Sequence, residues 1–297
     1  MNGPRKDRMP SGLALAGIPR SNAFQINKPY RLVVGAVCAL ILVFFLGPIV
    51  WMVLTSLKKP VDAFAIPPVW LFAPTVKAYI DLFSMYPYLA YLRNSLIVSV
   101  GSVALCVAFG VPTAYYLARM RARRADDVAF WFLSQRMLPA IAIVLPIYVM
   151  MNRLSLFDTQ ISLVLTYSSF NLPFLVWMMR DYFRSMPVEL DEAAMIDGCS
   201  RLGALLRVNL PISLPGLAAT AILILVASWN EFLFALVLTS TQARTVPLVV
   251  TLFMNDQGIM WPQMMAAGTI TALPVLLFAI LFQRRIISGL TLGAVKA

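Results

Sequence analysis

Long apolar runs, separated by short polar or charged stretches, dominate the pattern of residues along this chain. A helix needs about 20 apolar residues to cross a bilayer, and the runs meet that length. Alternating segments of about 10 residues, which are typical of membrane strands, do not occur. The pattern therefore predicts an all-α fold, a polytopic membrane helix bundle of six transmembrane helices, at about 32–54, 96–117, 128–151, 161–179, 217–238 and 264–282.

The N-terminal segment differs from the remainder of the chain. Residues 1–30 are rich in glycine, proline, serine and charged side chains, which predicts a disordered cytoplasmic arm. Residues 31–297 are predicted to form one transmembrane domain. No run of small residues typical of a cleavage site follows the first apolar run, which is therefore interpreted as a retained span rather than a signal peptide.

Composition and charge support a membrane protein. Apolar residues make up 60% of the chain, which exceeds the apolar share of soluble domains, and charged residues make up 12%. The net charge of +11 raises the alternative of nucleic-acid binding. Arginines and lysines in a membrane protein instead set its topology, so no nucleic-acid partner is predicted. Their concentration predicts that both termini are cytoplasmic, together with segments 119–127 and 180–213.

Several kinds of chemistry are excluded by residue usage. The chain has no histidine and three scattered cysteines, so neither histidine-based acid–base catalysis nor a His/Cys metal cluster is expected. The phosphate-binding pattern G-x-x-x-x-G-K-S/T is missing from the sequence, so the chain is not expected to bind ATP. We therefore predict a non-catalytic protein without a cofactor of its own.

One polar segment interrupts the apolar pattern between the fourth and fifth predicted spans. Residues 189–211 read ELDEAAMIDGCSRLGALLRVNLP and begin with a cluster of carboxylates that suits the positive end of a helix dipole. Gly198 suits a left-handed helix end, and Ser200 suits the cap of a second helix, which Pro211 and Pro215 are expected to end. Anionic lipid would repel so acidic a helix, so the segment is interpreted as a knob offered to a soluble partner.

The same segment resembles the signature loop of ABC importer permeases. EAAMIDG is followed, nine residues later, by VNLP, which matches the pattern of that family at every fixed position. The resemblance implies that 187–211 is a coupling-helix loop docking on a cytoplasmic ATPase subunit. Glu192 would make the polar contact, the two alanines would permit close approach, and Gly198 would make the turn. The residues implied in ATPase coupling are Glu192, Ala193, Ala194, Asp197, Gly198, Leu210 and Pro211.

Further segments are similar to the smaller, six-span permease subunit of maltose-type carbohydrate importers. They include RMLPAIAIVLPIYV, FDT at 157–159, NLPF at 171–174 and SWNEFLFALVLT. The resemblance implies that 31–297 is a permease domain in a bacterial cytoplasmic (inner) membrane. It also implies a second permease as heterodimer partner, two ATPase subunits that bind ATP and magnesium, an extracytoplasmic solute-binding protein and a carbohydrate substrate.

Polar side chains within the predicted spans are candidates for the solute pathway. Glu231, next to Asn230, is expected either to line the pathway or to hydrogen-bond a neighbouring span. Arg136 is expected to extend towards the cytoplasmic surface. Asn171 is expected to satisfy a carbonyl freed by Pro173 in preference to a sugar. The candidate pathway residues are therefore Asn171, Asn230 and Glu231.

Other functions stay open at this point. A permease of the same superfamily for glycerol phosphate or an amino acid would share the coupling loop. A secondary transporter or channel would be expected to show inverted repeats or paired charges within its spans, and neither is detected. A membrane enzyme would need a pair of acids in lipid, and Glu231 alone lies in a predicted span. The sequence leaves open which carbohydrate is carried and which subunit holds it.

Overall fold

The computed structural model describes residues 28–120, 122–255 and 258–291, and most of them are helical. Two-residue strands, β1 (Met254–Asn255) and β2 (Gly258–Ile259), pair antiparallel. In chain order the helices are α1 (Lys28–Ser56), α2 (Pro60–Ala63), α3 (Lys77–Met85), α4 (Tyr88–Arg119), α5 (Ala122–Ser134), α6 (Ala140–Arg153), α7 (Gln160–Arg184), α8 (Glu189–Ile196), α9 (Arg201–Ala204), α10 (Leu210–Trp229), α11 (Leu233–Leu238), α12 (Val249–Leu252) and α13 (Trp261–Thr291).

The chain divides into two compact units at Val50. The described part of the first unit is the apolar length of α1, where every side chain from Leu32 to Val50 is exposed. A helix that is apolar on all sides suits surroundings of lipid. The predicted disordered arm, 1–30, lies outside the described residues except at 28–30, which belong to α1.

The second unit, from Trp51 onwards, is built around α4, α7 and α10. Small residues let these helices approach closely: a Cβ placed on Gly110 would lie 2.5 Å from Leu175, and one on Gly216 would lie 2.5 Å from the Tyr182 ring. Such contacts replace the hydrophobic driving force that lipid removes between membrane helices. The largest buried side chains around the three helices include Leu163, Tyr167, Leu175, Met179, Phe183 and Ile224.

A buried polar stripe joins the same three helices. The Ser228 hydroxyl of α10 lies 3.4 Å from the Ser102 hydroxyl of α4, and Ser168 of α7 donates to the Ser102 carbonyl at 3.4 Å. Asn171 of α7 donates to the Ser228 hydroxyl at 3.1 Å. Hydrogen bonds between membrane helices contribute about 0.6–2 kcal/mol each. The stripe therefore fixes the register of the end of α10 against the middle of α4 and α7.

Five helices in the described residues are long and apolar enough to cross a membrane, and a bent pair adds a sixth if it counts as one span. The predicted helical fold is thereby confirmed. The predicted span 128–151 corresponds to a bent pair, because Arg124–Met137 and Ala140–Arg153 meet at an angle of 91°, as in a broken span or a re-entrant loop. Pro139 stands at the bend; it lacks an N–H and disfavours helical geometry in the residue before it.

The helix that covers most of the predicted fifth span, 217–238, has other bounds than that span, and α11 follows it at Leu233–Leu238. The helix begins at Arg201, passes through a π-helical segment at Leu205–Asn209 and ends at Trp229. Pro211 and Pro215 therefore lie within a continuous helix, and the expectation that they end a separate coupling helix is wrong. The π segment shifts the hydrogen-bond register just before Pro211, where an amide donor is missing, and neighbouring helices support proline in membrane helices.

Candidate functional site

The polar segment forms a tight helix–turn–helix at one end of the second unit. The chain turns at Gly198, whose φ of 85° lies in the left-handed region. No atom lies within 4 Å of a Cβ added there, so the backbone conformation rather than crowding favours glycine. The Ser200 hydroxyl accepts a hydrogen bond from the Gly203 N–H at 3.1 Å and caps α9. Both local predictions, the glycine turn and the serine cap, are confirmed.

The predicted coupling residues differ in accessibility. Ala194 is 5% exposed and packs against its own chain. Of the two alanines that were expected to permit close approach by a partner, Ala193 is therefore the exposed one. Leu210 is half-buried. Exposed apolar side chains, Ile196 and Leu202, accompany them on the same loop. The remaining predicted coupling residues are exposed: Glu192, Asp197, Gly198 and Pro211.

One carboxylate of the segment faces inward. Asp191 is 5% exposed and accepts hydrogen bonds from Tyr115 Oη at 2.5 Å and Asn209 Nδ2 at 2.6 Å. Its second oxygen accepts from Arg119 Nε at 2.5 Å, and Arg119 Nη1 also donates to the Phe183 carbonyl at 2.9 Å. We name this set the Asp191 network. It ties α8 to α4, to the end of α7 and to the π segment. The interpretation of the acidic segment as a knob offered to a soluble partner therefore does not hold for Asp191, which binds its own chain.

A second charged cluster lies at the same end of α7. Asp126, near the start of α5, accepts hydrogen bonds from Arg180 and from Arg184 Nη1, the latter at 3.0 Å. Arg180 is 2% exposed. Buried arginines need such partners, since removal of one would leave a charge out of water. The basic segments 119–127 and 180–213 are thus brought together beside the acidic loop.

The opposite end of α7 carries a different kind of carboxylate site. Asp158, with φ 57°, accepts hydrogen bonds from the backbone N–H groups of Ser240, Thr241, Gln242 and Ala243 at 2.9–3.2 Å. Burial alone would raise the pKa of this carboxyl, but the four donors outweigh burial and lower its pKa to about 2. We name this arrangement the Asp158 nest.

The candidate pathway residues, which lie level with the middle of α7, form hydrogen bonds with their own chain. Asn230 donates to the Val226 carbonyl at 2.8 Å. The Glu231 carboxylate accepts from the N–H groups of Phe234 and Ala235 at 3.1–3.2 Å and so caps α11, and it also interacts with the Tyr167 hydroxyl of the neighbouring helix α7. Asn171 donates to a hydroxyl of α10, and the expectation that it satisfies a carbonyl freed by the proline is wrong.

Arg136 lies just before the bend between α5 and α6, in a short 3₁₀ turn at Gln135–Met137. Its guanidinium carbon lies 5.1 Å from the centre of the Phe174 ring. The side chain therefore contacts the middle of α7, and the expected extension to the cytoplasmic surface is wrong. A cavity of about 350 Å³ adjoins it, with Ser169 and Phe170 in its wall. From the sequence, Arg136 was recognised only as a charged residue within a predicted span, and its place beside a cavity was not predicted.

Comparison with known proteins connects these features to a family. Residues 110–291 match the profile of the family described as "Binding-protein-dependent transport system inner membrane component". A trehalose/maltose transport system permease protein of Thermococcus litoralis is 34% identical over 275 residues, covering 92% of this chain and 98% of its own length. A sulfoquinovosyl glycerol transport system permease protein of Agrobacterium fabrum is 34% identical over 290 residues, covering 95% and 99%.

A solved structure shares the fold. It is described as a bacterial ABC transporter involved in the import of the acidic polysaccharide alginate. The TM-score is 0.71 at 22% identity, and the match covers 88% of this chain and 97% of that one. At this level of identity the likeness extends to the arrangement of helices alone.

Proposed function

The chain belongs to the family of binding-protein-dependent transport system inner membrane components, and from this membership we propose that it is a permease subunit of an ATP-driven carbohydrate importer. Relatives named as permeases for trehalose, maltose or a sugar-substituted glycerol align with nearly its whole length. The observation that carries the proposal is the exposed acidic loop at Gly198, held on the membrane helices by the Asp191 network.

Energy enters through this loop. Glu192 and Asp197 are exposed and make no hydrogen bond or ion pair with the side chains that the structure describes, so their charges face outwards. Exposed apolar groups beside them, such as Ile196, supply contact area for a protein partner. A carboxylate at the centre of such an interface would meet a basic group of the ATPase. ATP and magnesium would be bound by that partner, because this chain has no phosphate-binding loop.

Movement of the loop has a continuous path into the membrane. Asn209 of the π segment holds Asp191 at 2.6 Å, and the helix that contains Asn209 runs unbroken to Trp229. Arg119 provides a parallel connection to the end of α4. Displacement of α8 by an ATPase is therefore transmitted as rigid-body movement of α4 and α10. The end of α10 that is farther from the loop lies beside the middle of α7, where Ser228 contacts Asn171. This chain positions the solute pathway and catalyses no reaction.

The loop end of the bundle is proposed to be cytoplasmic, with both termini on that side of a bacterial inner membrane. The clustering of Arg119, Arg180 and Arg184 at this end supports that orientation. The Asp158 nest then lies on the extracytoplasmic side, where a solute-binding protein would deliver substrate. A cysteine placed at 241–245 should react with an impermeant thiol reagent from outside, and one at 122–125 only after permeabilisation. The reverse pattern would overturn the orientation.

The class of transporter is tested by reconstitution. In liposomes the chain alone should neither hydrolyse ATP nor accumulate solute. Assembled with a second permease and two ATPase subunits, it should hydrolyse ATP faster when a carbohydrate-loaded binding protein is added, and should import that carbohydrate. Uptake by the isolated chain along an ion gradient would establish a secondary transporter instead. Import of glycerol phosphate or an amino acid in place of every carbohydrate tested would overturn the substrate class.

A further inference from the structure

Two membrane helices are interrupted at the same level of the bundle. One interruption follows Arg136, whose guanidinium lies 5.1 Å from the Phe174 ring. The other, at 230–232, follows Ser228, whose hydroxyl accepts from Asn171 at 3.1 Å. Asn171 and Phe174 both lie near the middle of the 25-residue helix α7. Both interruptions therefore lie about halfway along a helix long enough to cross the membrane.

The two interruptions are stabilised differently. Broken backbone at membrane depth must be buried in protein or line a water-filled cavity, since lipid offers no hydrogen bonds. After the break in α10, the Glu231 carboxylate accepts the first amides of α11. At the start of α6, which is 14 residues long, no side chain caps the helix, and Pro139 stands at the capping position. This break, between α5 and α6, adjoins the cavity of about 350 Å³.

The walls of this cavity combine polar and aromatic groups. Gln135, Arg136 and Ser169 contribute side chains that can hydrogen-bond, while the larger part of the wall is apolar and is formed by Leu138, Ile143, Ile147, Met150, Phe170 and Pro173. Phe170 is held in place by the Phe234 ring, 4.7 Å away and inclined by 32°. The volume lies within the range of roughly 300–1,000 Å³ that small-molecule pockets occupy.

Arg136 is the group that most needs explanation. It is exposed, and it makes no hydrogen bond or ion pair with the residues that the structure describes. A guanidinium has five N–H donors, and its contact with Phe174 occupies only one face of the group. Charged side chains at this depth face a bundle interior or an aqueous cavity and mark substrate pathways. The free donors of Arg136 therefore require acceptors from outside this chain, such as water, a solute or the second permease.

We propose that this cavity is a solute subsite of the translocation pathway, in which a carbohydrate packs its apolar face on Phe170 and Pro173. Its hydroxyl groups accept hydrogen bonds from Arg136 and Gln135. The apolar ring face of a carbohydrate and its hydroxyl edges match a largely apolar wall that carries a few hydrogen-bonding side chains. The proposal rests on the proposed importer function and goes beyond it, because it assigns substrate contacts to this subunit and to the α5–α6 bend.

The test uses the assembled transporter with single cysteines at the cavity. In a background with Cys38, Cys106 and Cys199 replaced by alanine, Gln135→Cys and Ser169→Cys should react with MTSET, a charged thiol reagent that requires water. The reaction should slow when maltose, trehalose or chitobiose is added, whichever of the three the complex imports. Val43→Cys is the control; this side chain is 72% exposed near the middle of α1. It should not react, because a thiol surrounded by lipid does not ionise.

A second measurement separates solute contact from simple access. In the Ser169→Cys complex, Arg136→Gln should raise the carbohydrate concentration needed for half-protection about tenfold, as expected for loss of a charge-assisted hydrogen bond. Arg136→Lys should recover part of that loss. Arg153→Gln is the matched control, since Arg153 is an exposed arginine at the far end of α6. Its half-protection concentration should not change.

The outcomes distinguish this subsite from the importer function. If the complex imports a carbohydrate but neither cavity cysteine reacts, lipid or the second permease fills the cavity and the subsite is wrong. If both react but the imported carbohydrate gives no protection, the cavity is aqueous and carries no solute, which also overturns the proposal. If the complex imports no carbohydrate, the proposed function itself fails.

Discussion

The two ends of α7 hold their loops by opposite means. At one end Asp191 binds three side chains from two elements, Tyr115 and Arg119 of α4 and Asn209 of the π segment. At the other end the Asp158 carboxylate binds the backbone amides of one loop. Each acid makes at least three hydrogen bonds, yet the first network depends on residue identities far apart in the chain. The second depends mainly on the course of the backbone, with one further bond from the Thr241 hydroxyl at 3.2 Å.

The difference suggests a division of mechanical roles. A backbone nest fixes one loop against the start of α7 and has no alternative partners. The Asp191 network instead joins separate helices through side chains, so a movement of α8 pulls on α4 and α10 together. The end proposed to receive force is thus connected to the spans, while the end proposed to receive solute is held locally. The following experiments are ordered from the largest expected effect to the smallest.

The largest effect is expected at the turn of the coupling loop. Gly198→Pro is incompatible with a φ of 85°, and Glu192→Lys reverses the exposed charge. Both variants should insert into the membrane but lose carbohydrate uptake, and the ATPase subunits should no longer co-purify. Gly258→Pro is the matched control, since Gly258 also has positive φ, at 116°, but lies in the hairpin before α13. It should retain the ATPase. Wild-type uptake by either loop variant would show that energy enters elsewhere.

A loss of stability is expected when the Asp191 network is opened. The side chains of Asp191 and Arg119 are 7% and 14% exposed, respectively. Asp191→Ala therefore leaves the largely buried Arg119 without its carboxylate partner. Removal of one member of a buried pair costs about 3–5 kcal/mol. Thermal unfolding of the purified complex should show this loss, and ATP hydrolysis should continue with less uptake for each ATP consumed. Asp197→Ala, at an exposed position of the same loop, should change stability by less than about 0.5 kcal/mol. Equal stability of the two variants would contradict the network.

Sequence patterns predicted some of these features and missed others for physical reasons. The apolar helices were predictable because span length and composition are local properties. The turn at Gly198 was predictable because backbone geometry favours glycine there. The burial of Asp191 was not, because it depends on Arg119, 72 residues away on another helix. Its neighbour Glu192 carries the same charge and is exposed.

Proline shows the same limit. Pro139 accompanies a bend of 91°, whereas Pro211 lies in a continuous helix. Both residues lack an amide donor, so sequence alone treats them alike. The π segment directly before Pro211 shifts the hydrogen-bond register there, and the bend at Pro139 adjoins a cavity. Packing around each proline therefore decides the outcome.

A smaller, pH-dependent effect is expected at the Asp158 nest. The pKa of about 2 lies below the ordinary value of 3.8, so the nest stabilises the folded state fully above pH 4. That contribution should be lost as the pH falls towards 2. After allowance for solvent screening it is roughly 1 kcal/mol. Asp158→Asn tolerates the positive φ and removes the charge, so its thermal unfolding should depend less on pH between 4 and 2. An unchanged pH dependence in this variant would contradict the nest.

The smallest effect is expected at Glu231, a third carboxylate, which holds the start of α11 and also interacts with Tyr167 of α7. It captures backbone amides, as Asp158 does, but those of Phe234 and Ala235, three and four residues further along the same segment. Glu231→Gln keeps one acceptor oxygen and should lower stability by less than about 1 kcal/mol, while Glu231→Ala should lose about 1 kcal/mol, the usual value of a helix cap. Asn230→Ala, which removes a bond to one carbonyl, is the control. If Glu231→Gln altered solute uptake without altering thermal unfolding, the carboxylate would act on the pathway itself, and local capture of backbone would no longer explain it.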